Sequence, residues 1–164
     1  MTTETTQTTQ PVAAERDATA IGDTASLLMM VTEWMRRSFE EVAASFDLTP
    51  VQARALLGLE SAVPMRSLAD HLHCDASNVT GIADRLEAGG LVTRQASQGD
   101  RRVKLLALTP KGARTRARLE AAMLDASPIK AGLSADERRT LRELLGKIVT
   151  KTGERPQHCA PPDA

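Results

Sequence analysis

Hydrophobic residues recur every three or four positions between residues 27 and 46. This spacing places them on one face of an α-helix and predicts a long amphipathic helix over about 23–46. Residues 1–20 are instead rich in Thr, Gln and Ala and nearly lack large apolar side chains. Such a segment cannot offset the entropy of ordering, so we predict a disordered N-terminal tail. The apolar positions of the helix are Leu27, Val31, Trp34, Met35, Phe39, Val42 and Phe46.

Capping signals mark the beginning of three further helices. Each combines a hydroxyl at the cap with a proline at the first helical position or a Gln or Glu three residues later. The predicted helices run to about residue 60, from about 110 to 126, and from about 134 to 151, and the last has one apolar side. A mobile tail is predicted over 152–164, where the composition turns polar. The signals are Thr49-Pro50-Val51-Gln52, Thr109-Pro110, and Ser134 with Glu137.

Two short helices with a tight turn between them are predicted in the middle of the chain. The first spans residues 66–72, and His73-Cys74-Asp75 forms the turn. Asp75 is a favourable N-cap for the second, which ends at Ala88 because Gly89-Gly90 adopts left-handed conformations without a steric clash. This arrangement is typical of a helix-turn-helix.

A β-hairpin with a basic tip is predicted directly after this pair of helices. Leu91 to Ala96 and Val103 to Leu108 are short apolar-rich runs on either side of Ser-Gln-Gly-Asp-Arg-Arg. No other segment has the pattern of a strand. The fold class predicted from the whole pattern is mostly α with a small β-hairpin.

The helix that begins after Asp75 has two distinct sides. Its buried side is predicted to hold Val79, Ile82, Ala83 and Leu86. The outward side is small and polar at its N-terminal end, where a recognition helix meets base edges in the major groove. An ordinary surface helix would have the same pattern, and glycine would then only weaken it. The outward residues are Ser77, Asn78, Thr80, Gly81, Asp84, Arg85 and Ala88.

The charge distribution favours a nucleic-acid partner for this region. The whole chain is neutral, but residues 75–118 hold nine basic and four acidic residues. A local basic face suffices to neutralise a phosphate backbone, although a solvated helix face is the alternative. The tip of the hairpin carries Asp100, Arg101 and Arg102, in a position to enter the adjacent minor groove. With few aromatic residues to stack on single-stranded bases, the chain is predicted to bind duplex DNA.

Several residue blocks in the same order and spacing resemble the MarR family of winged helix-turn-helix regulators. The resemblance covers about residues 25–150, and its most specific part is Asp100-Arg101-Arg102 followed by Leu108-Thr109-Pro110-Lys111-Gly112. The other blocks are Asn78-Val79-Thr80, Asp84-Arg85-Leu86-Glu87 and Gly90-Leu91-Val92.

The resemblance implies a homodimer on a pseudo-palindromic operator, with the first and last helices at the dimer interface. The implied domain covers 21–151, with a winged helix-turn-helix over about 50–108 and dimerisation helices over about 23–46 and 110–151. Two-fold symmetry would place the half-sites roughly 34–36 Å apart.

The resemblance also assigns roles to individual residues. It implies DNA contacts for Ser77, Asn78, Thr80 and Arg85 and for the wing residues Asp100 and Arg102. Asp84 is expected to orient Arg85, because a carboxylate is repelled by phosphate. A repressor that releases DNA when a small apolar or aromatic ligand binds is the implied mode of action. The family's peroxide sensors have a cysteine on the first long helix, and residues 21–46 contain none.

Alternative sites and functions remain open. His71, His73, Cys74 and Asp75 could hold a metal, but the two histidines do not share a helix face and no second ligand pair follows, so no metal and no cofactor are predicted. Cys74 precedes the recognition helix, so a redox-switched regulator is one alternative, against a small apolar side chain packed in the turn.

A helical interaction module without DNA binding is another alternative. No phosphate loop, zinc pair or serine elbow indicates an enzyme. Cys74 and Cys159 do not suggest a disulfide framework, and neither a signal peptide nor a membrane-length apolar run is present. We therefore expect a cytoplasmic protein.

Overall fold

The computed structural model describes residues 10–96 and 104–152. The chain is mostly helical with one small three-stranded antiparallel sheet, which confirms the predicted fold class. None of the helices in these two ranges is long and apolar enough to cross a membrane. The elements are α1 (Gln10–Ala44), α2 (Pro50–Leu57), β1 (Val63–Pro64), α3 (Met65–Leu72), α4 (Ala76–Ala88), β2 (Val92–Ala96), β3 (Lys104–Leu108), α5 (Pro110–Asp125), α6 (Pro128–Gly132) and α7 (Ala135–Thr152).

Helix α1 begins at Gln10, earlier than the predicted beginning near residue 23. Ala, Glu and Arg have high intrinsic helix propensities, so a segment that contains them forms a helix without burying large apolar side chains. The chain divides into two compact units at the bond between Arg37 and Ser38, within α1. The predicted domain limits at residues 21 and 151 stay predictions.

The capping signals read from the sequence form the expected hydrogen bonds. The Thr49 hydroxyl accepts from the Gln52 amide, and the Gln52 side chain accepts from the Thr49 amide at 2.9 Å. At the beginning of α7, a Glu137 carboxylate oxygen accepts from the Ser134 amide at 2.8 Å. These bonds satisfy backbone donors that a helix leaves without an internal partner.

The sheet has the strand order β1, β3, β2. The predicted hairpin pairs in register, with Val92 opposite Leu108 and Arg94 opposite Leu106. Strand β1 was not predicted, because it has only two residues and one of them is a proline. Its pairing with β3 is visible only in the folded chain.

The core lies among α2, α3, α4, the sheet and α5. Its largest fully buried side chains come from these elements and from the segment after α2. Phe39 and Val42 near the end of α1, and Phe46 just after it, pack against this core. The fully buried side chains are Leu56, Leu59, Leu68, Leu72, Leu86, Leu106, Leu119, Val79 and Val92.

The segment after α4 is bonded tightly to the beginning of α5. The Thr109 hydroxyl donates to the Gly90 carbonyl at 2.7 Å and accepts from the Gly112 amide at 3.0 Å. A Cβ on Gly112 would overlap the carbonyl of Leu91. Gly90 has a φ of 68°, a left-handed conformation that glycine adopts without strain. The Leu-Thr-x-x-Gly sequence therefore joins α5 to the end of α4.

Candidate nucleic-acid interface

Helices α3 and α4 form the predicted helix-turn-helix. His73 ends α3 in a left-handed conformation, with φ 52° and ψ 44°, which turns the chain sharply toward α4. Asp75 occupies the N-cap position of α4 in an extended conformation, but its side chain makes no capping hydrogen bond. Asp75 therefore does not cap α4 with its side chain, although its backbone carbonyl accepts from the Asn78 amide at 3.0 Å.

The two sides of α4 match the sequence prediction. Val79 and Ala83 are fully buried, and Ile82 and Leu86 are 7% and 1% exposed. This apolar side anchors the helix in the core, so the opposite side has a fixed orientation. The residues expected on that side are all exposed, namely Ser77, Asn78, Thr80, Gly81, Asp84, Arg85 and Ala88.

Gly81 lies in the middle of the exposed side. A Cβ placed on it would meet no atom within 4 Å. Packing among the residues that the structure describes therefore gives no reason for glycine here, although glycine destabilises a helix interior by roughly 1 kcal/mol relative to alanine. The backbone of α4 at this position is open to close approach from outside.

Arg94 on β2 is bonded to α4, the predicted recognition helix, through both ends of its guanidinium group. Nη2 lies 2.5 Å from the Asp84 carboxylate, and Nη1 lies 2.5 Å from the Glu87 carboxylate. Nη2 also donates to the carbonyl of Thr80 at 3.4 Å, and the Arg94 amide donates to Glu87 at 3.2 Å. The hydrogen bond that Arg94 donates to the Asp84 carboxylate contributes most to the raised pKa of Arg94. We call Arg94, Asp84 and Glu87 the arginine clamp.

The arginine clamp corrects one sequence-based expectation. Asp84 was expected to orient Arg85, its neighbour in sequence, but its carboxylate binds Arg94 instead. Consecutive residues on a helix point about 100° apart, whereas β2 brings Arg94 directly against the exposed edge of α4. The sequence did contain a signal for this contact. Asp84 and Glu87 lie three residues apart on one edge of the helix, and an arginine follows on the next strand.

Arg85 lines a cavity of about 410 Å³ between α5, the second half of α4 and the segment that connects α1 to α2. Its cations are Arg85, Lys111 and Arg118, and Asp47 is its one carboxylate among the described residues. The Arg118 guanidinium lies 5.6 Å from the centre of the Phe46 ring, within cation–π range. The apolar part of the lining comes from Phe46, Leu48, Leu86 and Leu91.

The predicted wing residues Asp100, Arg101 and Arg102 lie outside the described residues. The strands that carry them are described as far as Ala96 and from Lys104. The structure therefore fixes the base of the hairpin, and the DNA contacts of its tip stay predictions.

The cluster around the turn has a structural explanation. Within residues 10–96 and 104–152, no group of three or more His, Cys, Asp or Glu side chains is arranged to hold a metal ion. The ring of His71 lies against Gly58, at 2.6 Å from the place where a Cβ would be. Cys74 packs half-buried against the core, and its sulfur takes part in a disulfide bond.

Comparison with known sequences identifies relatives of this chain. A sequence model described as the MarR family matches residues 48–104. Over 111 residues the chain is 32% identical to the HTH-type transcriptional regulator MgrA of Staphylococcus aureus, covering 66% of this chain and 75% of that protein. It is 36% identical over 91 residues to a candidate transcriptional regulatory protein for the hcr operon of Thauera aromatica, of which it spans 55%.

Solved structures have the same fold. Apo MarR from E. coli is 28% identical, with a TM-score of 0.64 over 76% of this chain and 96% of that one. A MarR family protein from Bacillus stearothermophilus, 22% identical, has a TM-score of 0.69 over 84% of this chain and 98% of that one. With its winged helix-turn-helix and these relatives, the chain belongs to the MarR family of DNA-binding transcriptional regulators.

Proposed function

We propose that this protein is a cytoplasmic repressor that binds a pseudo-palindromic duplex operator as a homodimer and is released by a small ligand. The observation that carries the proposal is the exposed first half of α4, polar and small in its side chains and open at Gly81, on a helix whose other side is buried. A rigid helix with such a surface fits the major groove, where base edges present distinct donor and acceptor patterns.

The residues of the interface take different roles in this proposal. Asn78 reads a base edge, since its amide both donates and accepts, and Ser77 and Thr80 bind bases or phosphates. Gly81 lets the DNA approach the helix backbone. Arg85 binds phosphate at the C-terminal end of the helix. On the wing, Arg101 and Arg102 enter the minor groove, and Asp100 orients an arginine there.

The proposal of a homodimer is supported by exposed apolar side chains on the outer helices. On α1, Leu27, Met30 and Trp34 are 62%, 69% and 59% exposed, and on α7 Leu144 is 51% exposed. Apolar patches of this kind mark protein interfaces. A second copy of the chain covers them in our proposal, and its two-fold axis places two recognition helices on one face of the DNA.

The proposed ligand site is the cavity lined by Arg85. Its cations and its apolar floor suit a small organic anion with an apolar or aromatic body. The site touches α4, so a bound ligand that differs in affinity between two positions of α4 shifts the protein between them. This gives the ligand a direct physical route to DNA affinity.

The operator can be obtained without knowing the regulated genes. The purified full-length protein is used to select duplexes from a random-sequence pool, and the enriched duplex is titrated in a gel-shift assay against random competitor at several salt concentrations. We expect an enriched inverted repeat, two protomers per duplex and an affinity that falls steeply with salt. Binding equal to competitor, with no enriched motif, would instead support a helical interaction module.

Two variants separate the roles of wing and helix in this assay. Arg102→Ala should weaken binding about tenfold on every sequence, since it removes a backbone or minor-groove cation. Asn78→Ala should change the preferred base at one position in each half-site. Unchanged binding by Arg102→Ala would show that the wing assignment is wrong.

Repression and ligand release are tested on a promoter that overlaps the selected operator. Transcription in vitro should fall when the protein is added. Salicylate and benzoate are suitable probes, and Arg118→Ala should abolish any release that they cause while leaving operator affinity unchanged. Stimulated transcription would identify an activator instead.

A redox-switched regulator is a second candidate, favoured by the disulfide of Cys74 next to the recognition helix. It predicts that dithiothreitol changes operator affinity and that Cys74→Ser abolishes the response. Equal affinities with and without reductant would remove this candidate.

A further inference from the structure

The hairpin loses its apolar support at Arg94. Along β2, Val92 is 2% exposed, Arg94 is half-buried, and Gln95 and Ala96 are exposed. Along β3, burial likewise ends between Leu106 and Lys104. Val92, Arg94 and Ala96 share one face of the strand, because side chains alternate between faces. Arg94 is therefore the last described residue of β2 that joins this face of the hairpin to the rest of the protein.

The bonds at Arg94 reach three positions on the recognition helix. They end on the carbonyl of Thr80 and on the carboxylates of Asp84 and Glu87. An arginine with two carboxylate partners has a fixed orientation, since charge-assisted bonds to a planar guanidinium are directional. A half-buried pair of this kind is also less screened than one on the open surface.

We infer that Arg94 is a positioning residue for DNA binding, which holds the base of the wing at a fixed orientation to the recognition helix. Its guanidinium is occupied by the protein's own carboxylates, so it acts on DNA through the wing rather than by contact. This inference rests on the proposed operator binding. The affinity contributed by the wing then depends on the arginine clamp. Without the clamp, a wing of variable orientation would lose entropy when it enters the groove, and DNA binding would weaken.

Loss of Arg94 also has a simple electrostatic effect, and the experiment must separate this effect from the loss of positioning. Without the guanidinium, Asp84 and Glu87 leave two uncompensated carboxylates beside the DNA. A variant with Arg94→Met, Asp84→Asn and Glu87→Gln removes the bridge and both negative charges together. Low affinity in this triple variant would come from lost positioning and not from repulsion.

The test is a double-mutant cycle with Arg102→Ala on the duplex selected by the full-length protein. If Arg94 acts through the wing, Arg94→Met and Arg102→Ala each weaken binding roughly tenfold, and the double variant is weakened little further. The same non-additivity is expected when Arg102→Ala is added to the triple variant. Independent contributions would instead multiply to roughly a hundredfold.

Arg116 offers a matched control. Its side chain is 22% exposed, against 27% for Arg94, and it also lies near two carboxylates, at 3.8 Å from Glu60 and Glu120. It donates to the carbonyl of Leu57, away from the hairpin. Arg116→Met should therefore lower Tm without coupling to Arg102→Ala. Should Arg94→Met fail to fold, Arg94→Lys keeps the charge without the fork and enters the same cycle.

The outcomes distinguish this inference from the proposed function. If Arg102→Ala weakens binding by the same factor in the wild-type protein, in Arg94→Met and in the triple variant, the positioning role of Arg94 is overturned. Unchanged binding by Arg102→Ala alone would overturn the wing assignment beneath it. Recovery of wild-type affinity in the triple variant would show that Arg94 only neutralises its neighbours.

Discussion

The recognition helix α4 and the last helix α7 have similar apolar stripes but very different surroundings. Val79 and Leu86 on α4 are 0% and 1% exposed, whereas Leu144 and Ile148 on α7 are 51% and 52% exposed. The apolar side of α4 packs within the chain, which leaves its polar side rigidly presented. An amphipathic pattern thus shows that one face of a helix is suited to burial, but it does not show which surface covers that face.

The largest effect on stability is expected at Gly112, where the packing leaves no room for an added atom. Gly112→Ala places a methyl group against the Leu91 carbonyl at the junction of α4 and α5. Because backbone has to move, we expect a loss of about 3 kcal/mol or more in the free energy of unfolding, measured by urea denaturation. The control is Gly146→Ala on α7, where a Cβ meets nothing within 4 Å. It should stabilise the helix by up to about 1 kcal/mol. Equal stabilities for the two variants would contradict the conclusion that Gly112 is tightly packed and Gly146 is not.

The exposed stripe of α7 should matter for association and not for folding. Leu144→Glu places a charge in the proposed dimer interface, and we expect the dimer dissociation constant to rise by roughly a hundredfold. Analytical ultracentrifugation measures the constant, and circular dichroism should show unchanged helix content. Arg142→Glu, an exposed charge reversal two residues away, is the control. A monomeric wild-type protein would refute the proposed interface.

Gly81→Ala is expected to change stability and operator affinity in opposite directions. With open space around the new methyl group, the variant should be more stable by about 1 kcal/mol. If DNA approaches the helix backbone here, operator affinity should nevertheless fall severalfold. Thermal unfolding and the gel-shift titration measure the two quantities on one preparation. Gly146→Ala should raise stability without loss of affinity, and an unchanged affinity for Gly81→Ala would place the DNA elsewhere.

The smallest expected effect concerns the cap of α7. The hydrogen bonds from the Ser134 side chain and amide lower the pKa of Glu137 below its ordinary value of 4.5. A carboxyl whose pKa is lower in the folded state stabilises the protein above pH 4.5, and that contribution is lost as the pH falls through the folded value. Ser134→Ala should lower Tm by a few degrees at pH 7 and by less at pH 3. The same loss at both pH values would show that Glu137 has no part in the cap.

Local signals determined much of this fold. The capping bonds at Thr49 and Ser134, the end of α4 before Gly90, the hairpin and the two sides of α4 follow from residues within one or two turns of each other. Such interactions can be read from sequence because spacing fixes which side chains meet. The exposure of the candidate DNA-binding residues on α4 followed from the same periodicity, and the resemblance to the MarR family agrees with the comparisons.

Only the tertiary structure decided how separate elements meet. It paired Asp84 with Arg94 rather than with Arg85, added β1 beside β3, and brought Gly112 against Leu91. Periodicity places a residue on a face but does not say which strand or carbonyl lies opposite. That choice depends on how the elements pack against one common core. The sequence thus determined helix α4 and its outward residues, and packing decided that Arg94 joins the base of the hairpin to this helix.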